Sequence, residues 1–236
     1  MSAGSTALEG GPLDLAGLRD DARGILVRAL DSVEGSKVLV LDPKIIGPLG
    51  AIAPVSVLKE HGVANMFQIQ EELFENQPGA AGADVCVYIA CAEQHQTRIF
   101  CDHVLNQEGK EFALFFVPRR NALCEKILEE ANILDRLAAP VGQIELDFIP
   151  YDNDVLSLGL ATYFRDLYLE QDTTALFYVA QGLMRLQDKF GVFPMIKTKG
   201  RYAQQIKDML VRMRRERSGV PTPTAATSAV DSVPPH

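Results

Sequence analysis

The sequence predicts an α/β fold: a parallel five-stranded sheet flanked by helices, followed by a mostly helical segment of an incomplete second α/β domain. Three observations lead there. Apolar runs of strand length recur up to Pro150, as in KVLVLD at 37–42 and EFALFFV at 111–117. Segments with helical apolar spacing lie between them. Beyond Pro150 the helical patterns continue while the strand-like runs stop.

Residues 1–13 are rich in Gly, Ser and Ala and read as a flexible lead-in. From Asp14, a plausible N-cap, Leu15, Leu18, Ala22, Leu26 and Leu30 define one apolar helix face that Gly35 closes. KVLVLD is a buried strand broken by Pro43. GPLGAIAPVSVLKEHG then reads as a loop running into a short helix that ends at Gly62. NMFQIQ alternates as a second strand, ENQPGAAGAD is a loop by composition, and DVCVYIA is a third strand. AEQHQTRIFCDHVLNQEG is helical, with Ile99, His103 and Asn106 at helical spacing. EFALFFV is the fourth strand. RRNALCEKILEEANIL is a helix opened by Arg119 and Arg120, and QIELDFI is the fifth strand. Continuously apolar strands separated by helices imply a parallel sheet covered on both faces, so residues 14–150 form one Rossmann-like α/β domain.

Residues 151–217 change character. NDVLSLGLATYFRDLYLE reads as helical. TTALFYVAQGLMRLQDKFG is a second helix with Leu176, Val179, Leu183, Leu186 and Phe190 on one stripe. GRYAQQIKDMLVRMRRER is a third, with Tyr202, Ile206, Met209 and Met213 aligned. Their large apolar faces have almost no strand nearby to cover them. Residues 218–236 collapse to Pro, Thr, Ser and Ala and read as a disordered tail.

The bulk properties exclude several classes. A formal net charge of −8 argues against nucleic acid as the main partner. The first residues have no basic start and no long apolar core, and no apolar run reaches the roughly 20 residues that span a bilayer. The expectation is a soluble cytoplasmic protein. Cys86, Cys91, Cys101 and Cys124 form no C-x-x-C pair and read as reduced, buried thiols.

No chemistry-bearing motif is complete. Gly47 and Gly50 come late after the first strand and do not form the phosphate-binding G-x-G-x-x-G. Cys91, His95 and His103 lie close in sequence, but a structural zinc site wants a second ligand pair, so core or solvated side chains are the simpler reading. Asp152 and Asp154 precede a helical pattern, where aspartates are usually caps rather than an acid/base pair. No G-x-S-x-G or H-E-x-x-H string occurs. Lys197, Lys199 and Arg201, with RMRRER at 212–217, form a basic patch that is either solvated or a site for lipid or an acidic partner. Arg119 and Arg120 are read as an ion-paired structural pair using Glu125, Glu129 or a partner carboxylate, ahead of a protein-facing surface and last a catalytic role. No catalytic, cofactor-binding or metal residue is assigned.

Several unusual strings occur in a fixed order: GPLGAIAPVSVLKEHGV, FVPRRNALCEKIL, LDFIPYDNDVLSL, YLEQDTTALFYVAQGLMRLQDKFG and RMRRE. Together they resemble the Sec/Munc (SM) family of membrane-fusion regulators, over Leu15 to Glu216, and within it the vacuolar-sorting branch. The resemblance implies a non-enzymatic protein without cofactor, nucleic acid or small-molecule substrate. It implies binding to SNARE proteins, docking onto other subunits of the HOPS and CORVET tethering complexes, and peripheral placement at late endosome and lysosome or vacuole membranes. It also implies that Arg119 and Arg120 are structural or surface residues. Members of the family are longer and build their middle domain from two separated chain segments, so the expectation is a chain that stops inside that domain. The alternatives are a truncated, inactive or competing fragment, and a small α/β nucleotide-binding enzyme.

Overall fold

A computed structural model describes residues 14–217 except 78, 80, 81, 147, 151, 153, 154 and 161. The chain divides into two compact units, residues 14–160 and 162–217 within the described range. Among the described residues no helix is long and apolar enough to cross a membrane.

In the first unit, α1 (Leu15–Asp31) starts at Asp14, whose Oδ1 accepts the Gly17 N–H at 3.0 Å. The strands are β1 (Lys37–Leu41), β2 (Val63–Gln68), β3 (Val85–Cys91), β4 (Glu111–Val117) and β5 (Gly142–Gln143). They form one sheet in the order β2-β1-β3-β4-β5, every pair parallel. The connections carry α2 (Pro43–Ile52), α3 (Val55–Glu60), α4 (Leu73–Asn76), α5 (Gln94–Asn106) and α6 (Ala122–Glu130). The five-stranded parallel sheet predicted from the apolar runs is present.

Alternate strand residues feed two separate cores. Leu39, Leu41, Val87, Ile89, Ala113 and Phe115 pack with α1, α2 and α3 on one face. Val38, Val40, Tyr88, Phe112, Leu114 and Phe116 pack with α4, α5 and α6 on the other. Burial on both faces is why these strands read as unbroken apolar runs.

Several local readings are corrected. The segment after β1 is helical from its first residue. Pro43 stands at N1, where its fixed φ suits a helix, and Asp42 caps it. Pro48 inside α2 removes one intrahelical hydrogen bond, and burial of Ile45, Leu49 and Ile52 on the sheet offsets that loss. The helix after β4 starts at Ala122, not Arg119, because the Asn121 side chain accepts the Leu123 N–H at 2.9 Å and sets the cap there. The fifth strand is far shorter than predicted. Leu146 N–H folds back onto Ile144 O at 2.8 Å, which turns the chain away from β4. Its distal end joins a separate antiparallel pair, β6 (Ile149–Pro150) with β7 (Leu156–Ser157). Among the described residues the predicted helix through 153–170 is largely absent. Gly159 adopts φ +66, which ends regular structure there, and a short helical stretch at 163–169 follows, π-helical over Arg165–Leu169.

One buried polar network crosses the second core. Tyr88 on β3 donates its hydroxyl to His103 Nδ1 at 2.7 Å, and His103 Nε2 donates to Glu71 O at 3.0 Å. His103 is therefore the Nε2–H tautomer with both nitrogens engaged. Phe74 packs edge-on against its ring, 5.3 Å between centroids. Tyr88→Phe strands a buried acceptor, so it is expected to cost about 1–3 kcal/mol, read as a lower denaturant midpoint with an unchanged slope.

In the second unit, α7 (Thr174–Phe190) and α8 (Arg201–Arg217) pack on each other. On α7 the buried residues include Leu176, Ala180, Met184 and Phe190, while Val179, Leu183 and Leu186 of the predicted stripe are half-buried. On α8 only Leu210 is buried among the described residues, and Tyr202, Ile206, Met209 and Met213 stay half-buried. Tyr168 packs edge-on against Tyr202, 5.4 Å between centroids, and Arg217 pairs with Asp188.

Candidate functional site

A doubly wound sheet offers ligands the crevice beyond the carboxyl ends of its strands, where the strand order reverses. Here that point lies between β1 and β3, and the protein's own carboxylate fills it. Asp42, buried at the end of β1, accepts the Lys44 N–H at 2.9 Å through Oδ1 and the Cys91 N–H at 3.2 Å through Oδ2. Lys44 reaches across to pair with Glu93, and that bond raises its pKa. The backbone donors a phosphate would use already hold a carboxylate, and the flanking lysine is neutralised. Gly47 and Gly50 sit within α2 rather than in a phosphate-cradling turn.

The other candidates are dispersed. Cys91 ends β3 half-buried, and its thiol is pushed up to about 12 by burial and by the Asp42 and Glu93 carboxylates, so it stays a thiol at neutral pH. His95 is exposed on the first turn of α5, while His103 belongs to the core network. Among the described residues no three His, Cys, Asp or Glu side chains are grouped as metal ligands. Asp152 donates its backbone N–H to Val155 O, and Asp154 lies outside the described residues. Lys197, Lys199 and Arg201 are exposed ahead of and at the start of α8.

Arg119 and Arg120 occupy the turn between β4 and α6. Arg120 Nε pairs with Glu125 Oε1 at 3.3 Å, one of the partners the sequence suggested. Glu125 lies in the first turn of α6, where the helix dipole favours an anion. This pair rims a groove of about 620 Å³ lined by Leu128, Leu134, Leu137, Pro140 and Val141. The groove exists because the chain beside β4 bulges. Leu137 pairs with Phe112 and Gly142 with Phe115, so five steps on one side oppose three on the other. Sequence periodicity carried no sign of it.

A second groove lies at the opposite sheet edge. Among the described residues β2 is paired on one side only, and its Ala64, Asn65 and Met66 are exposed. Between β2 and the α2–α3 pair lies an apolar cleft of about 330 Å³, floored by Leu41, Leu49, Ala53 and Leu58. Ile46, Val55 and Met66 line it at 36%, 49% and 38% exposure. Gly50 keeps one wall low, and a Cβ there would meet nothing within 4 Å. The lining is apolar, with Gln68 as its polar member. That composition suits burial of another protein's apolar side chains rather than proton or phosphoryl transfer.

The sequence comparison settles the family. The profile of the Sec1 family matches residues 37–232. The chain belongs to the Sec1 family. Among Sec1-family relatives, vacuolar protein sorting-associated protein 33A of Rattus norvegicus is 36% identical over 213 residues, covering 89% of this chain and 35% of the relative. The Arabidopsis thaliana vacuolar protein-sorting-associated protein 33 homolog is 31% identical over 214 residues, with the same shares. The chain thus spans about a third of the length of the relatives it matches. Solved Sec1-family folds agree. The Unc18 protein in the Unc18–syntaxin 1 complex from Monosiga brevicollis superposes with a TM-score of 0.62 at 17% identity, covering 89% of this chain and 38% of that one. The SM protein Vps45 in complex with the Qa SNARE Tlg2 gives 0.61 at 18% identity, over the same shares.

Proposed function

We propose that this chain is a non-catalytic SM-type regulator of SNARE-mediated docking and fusion, serving transport to late endosome and lysosome or vacuole. The apolar cleft at the β2 edge carries the reading, because it offers apolar side chains to a partner and no reacting group. A SNARE motif is an amphipathic helix, and a helix seats its apolar face in such a cleft. Family membership and the vacuolar-sorting relatives support the pathway, and the solved SM–SNARE complexes of other family members support the partner class. Assembly with subunits of a HOPS- or CORVET-type tethering complex is part of the same proposal.

The test is binding of a soluble Qa-SNARE cytoplasmic region to the full chain by calorimetry. Val55→Asp with Met66→Asp places two charges in the cleft without touching either core. The expected result is binding weakened by at least about tenfold, as for burying uncompensated charge at an interface, with thermal stability unchanged. Gly50→Leu, which adds bulk where space is open, is expected to weaken binding in the same direction. Wild-type chain that binds no SNARE, or variants that bind as wild type does, would overturn the reading. A parallel pull-down from cytosol, scored for tethering subunits, tests the complex.

A further inference from the structure

The loop between α7 and α8 combines exposed cations with exposed apolar side chains. From Gly191 to Arg201 the sequence holds three basic residues, Lys197, Lys199 and Arg201, and no acidic one, in a chain of net charge −8. Two large apolar side chains project from the same loop: Val192 is 59% exposed and Met195 71%. Their neighbours Phe193 and Ile196 are half-buried. Phe193 N–H donates to Oε1 of the buried Gln187 at 3.2 Å, which ties the base of the loop to α7. The loop is tied to α7 through Phe193 and to α8 through Thr198, whose hydroxyl donates to Gln204 Oε1 at 2.9 Å, while Val192 and Met195 stay exposed. Among the described residues Lys197 and Lys199 are exposed without an ion pair, Lys207 further along α8 pairs with Asp208 at 3.4 Å, and the Arg201 guanidinium lies over the Tyr202 ring, 5.6 Å from its centroid.

Exposed apolar tips beside unpaired cations are the chemistry of a membrane interface. The apolar groups enter the headgroup–acyl boundary while lysine ammoniums reach lipid phosphates. We infer that the Val192–Arg201 loop contacts an anionic lipid surface directly, with Val192 and Met195 inserted and Lys197, Lys199 and Arg201 paired to headgroup phosphates. This goes beyond SNARE binding, and it places the contact on the chain itself rather than on a partner. An acidic protein would answer the cations equally well, but it has no need of two exposed apolar side chains beside them. A lipid surface uses both.

The experiment is vesicle co-flotation of the full chain. The probes are phosphatidylcholine vesicles, the same vesicles with about 20% phosphatidylserine, and poly-glutamate beads. The expected result is at least about fivefold more chain on anionic than on neutral vesicles, falling as salt rises. Lys197→Glu with Lys199→Glu is expected to abolish that excess, and Val192→Ser with Met195→Ser to reduce it severalfold. All four positions are exposed, and matched melting curves confirm folding. Equal recovery on neutral and anionic vesicles overturns the inference. So does full binding by the lysine pair, or binding untouched by the serine pair. Capture on poly-glutamate without vesicle binding overturns it in favour of an acidic protein partner. SNARE binding by the same variants is expected to be unchanged, which separates failure here from failure of the cleft.

Discussion

Replacing Asp42 with alanine is expected to destabilise the first unit by about 1.5–5 kcal/mol. The estimate joins loss of a helix cap, about 0.5–2 kcal/mol, to a buried N–H left without an acceptor, about 1–3 kcal/mol. One carboxylate performs both tasks, holding the Lys44 N–H at the start of α2 and the Cys91 N–H at the end of β3. It therefore ties the first connection to the centre of the sheet. Asp42→Asn keeps the shape but turns an amino group toward one of the two donors, so an intermediate loss is expected. Denaturant unfolding measures the total, and hydrogen exchange at the Cys91 amide locates it. Wild-type protection at Cys91 in the alanine variant would show that something else satisfies that amide.

The second large effect comes from a single methyl group. A Cβ on Gly142 would lie 2.6 Å from Phe115 Cε1, and the ring belongs to the first core. Overpacking of this kind typically costs about 1–3 kcal/mol. Gly142→Ala is therefore expected to push β5 off β4 or displace the ring, and either outcome deprotects the Gly142–Ile144 amides. The double-mutant cycle with Phe115→Leu makes the cause visible. If the methyl and the ring collide, the double variant loses less stability than the two singles together, by about 0.5–3 kcal/mol. Strict additivity would place the cost elsewhere.

The sheet was legible because β1, β3 and β4 are buried on both faces, which leaves no polar alternation to obscure the run. The helix of Pro43–Ile52 was not, since two prolines and two glycines outweigh the apolar spacing of Ile45, Leu49 and Ile52 in any local reading. Arg120 was matched to Glu125 by proximity in sequence, yet its place on a groove rim depends on the bulge opposite Phe112–Phe115, which only strand pairing creates. The β2 cleft was hidden for a similar reason. Val55 and Met66 belong to different elements, and they meet only because strand order makes β2 the last strand of the described sheet. His103 was noticed at helical spacing, but its partner Tyr88 sits on β3, so the pair emerges only when α5 covers that face.

The strand order also governs how the chain emerges from the ribosome. β1 is wholly apolar and pairs on one side with β2 and on the other with β3. Once β2 is out, β1 can form half of its pairings. Its other edge waits for about 23 more residues, through Cys91, or roughly 1–5 s at about 5–20 residues per second. During that interval an unpaired, fully apolar strand edge stands open, the geometry most prone to wrong pairing. Nascent chains whose emerged segment ends near residue 80 are therefore the ones that should recruit ribosome-associated chaperones, and chains whose emerged segment extends well past β3 should let them go.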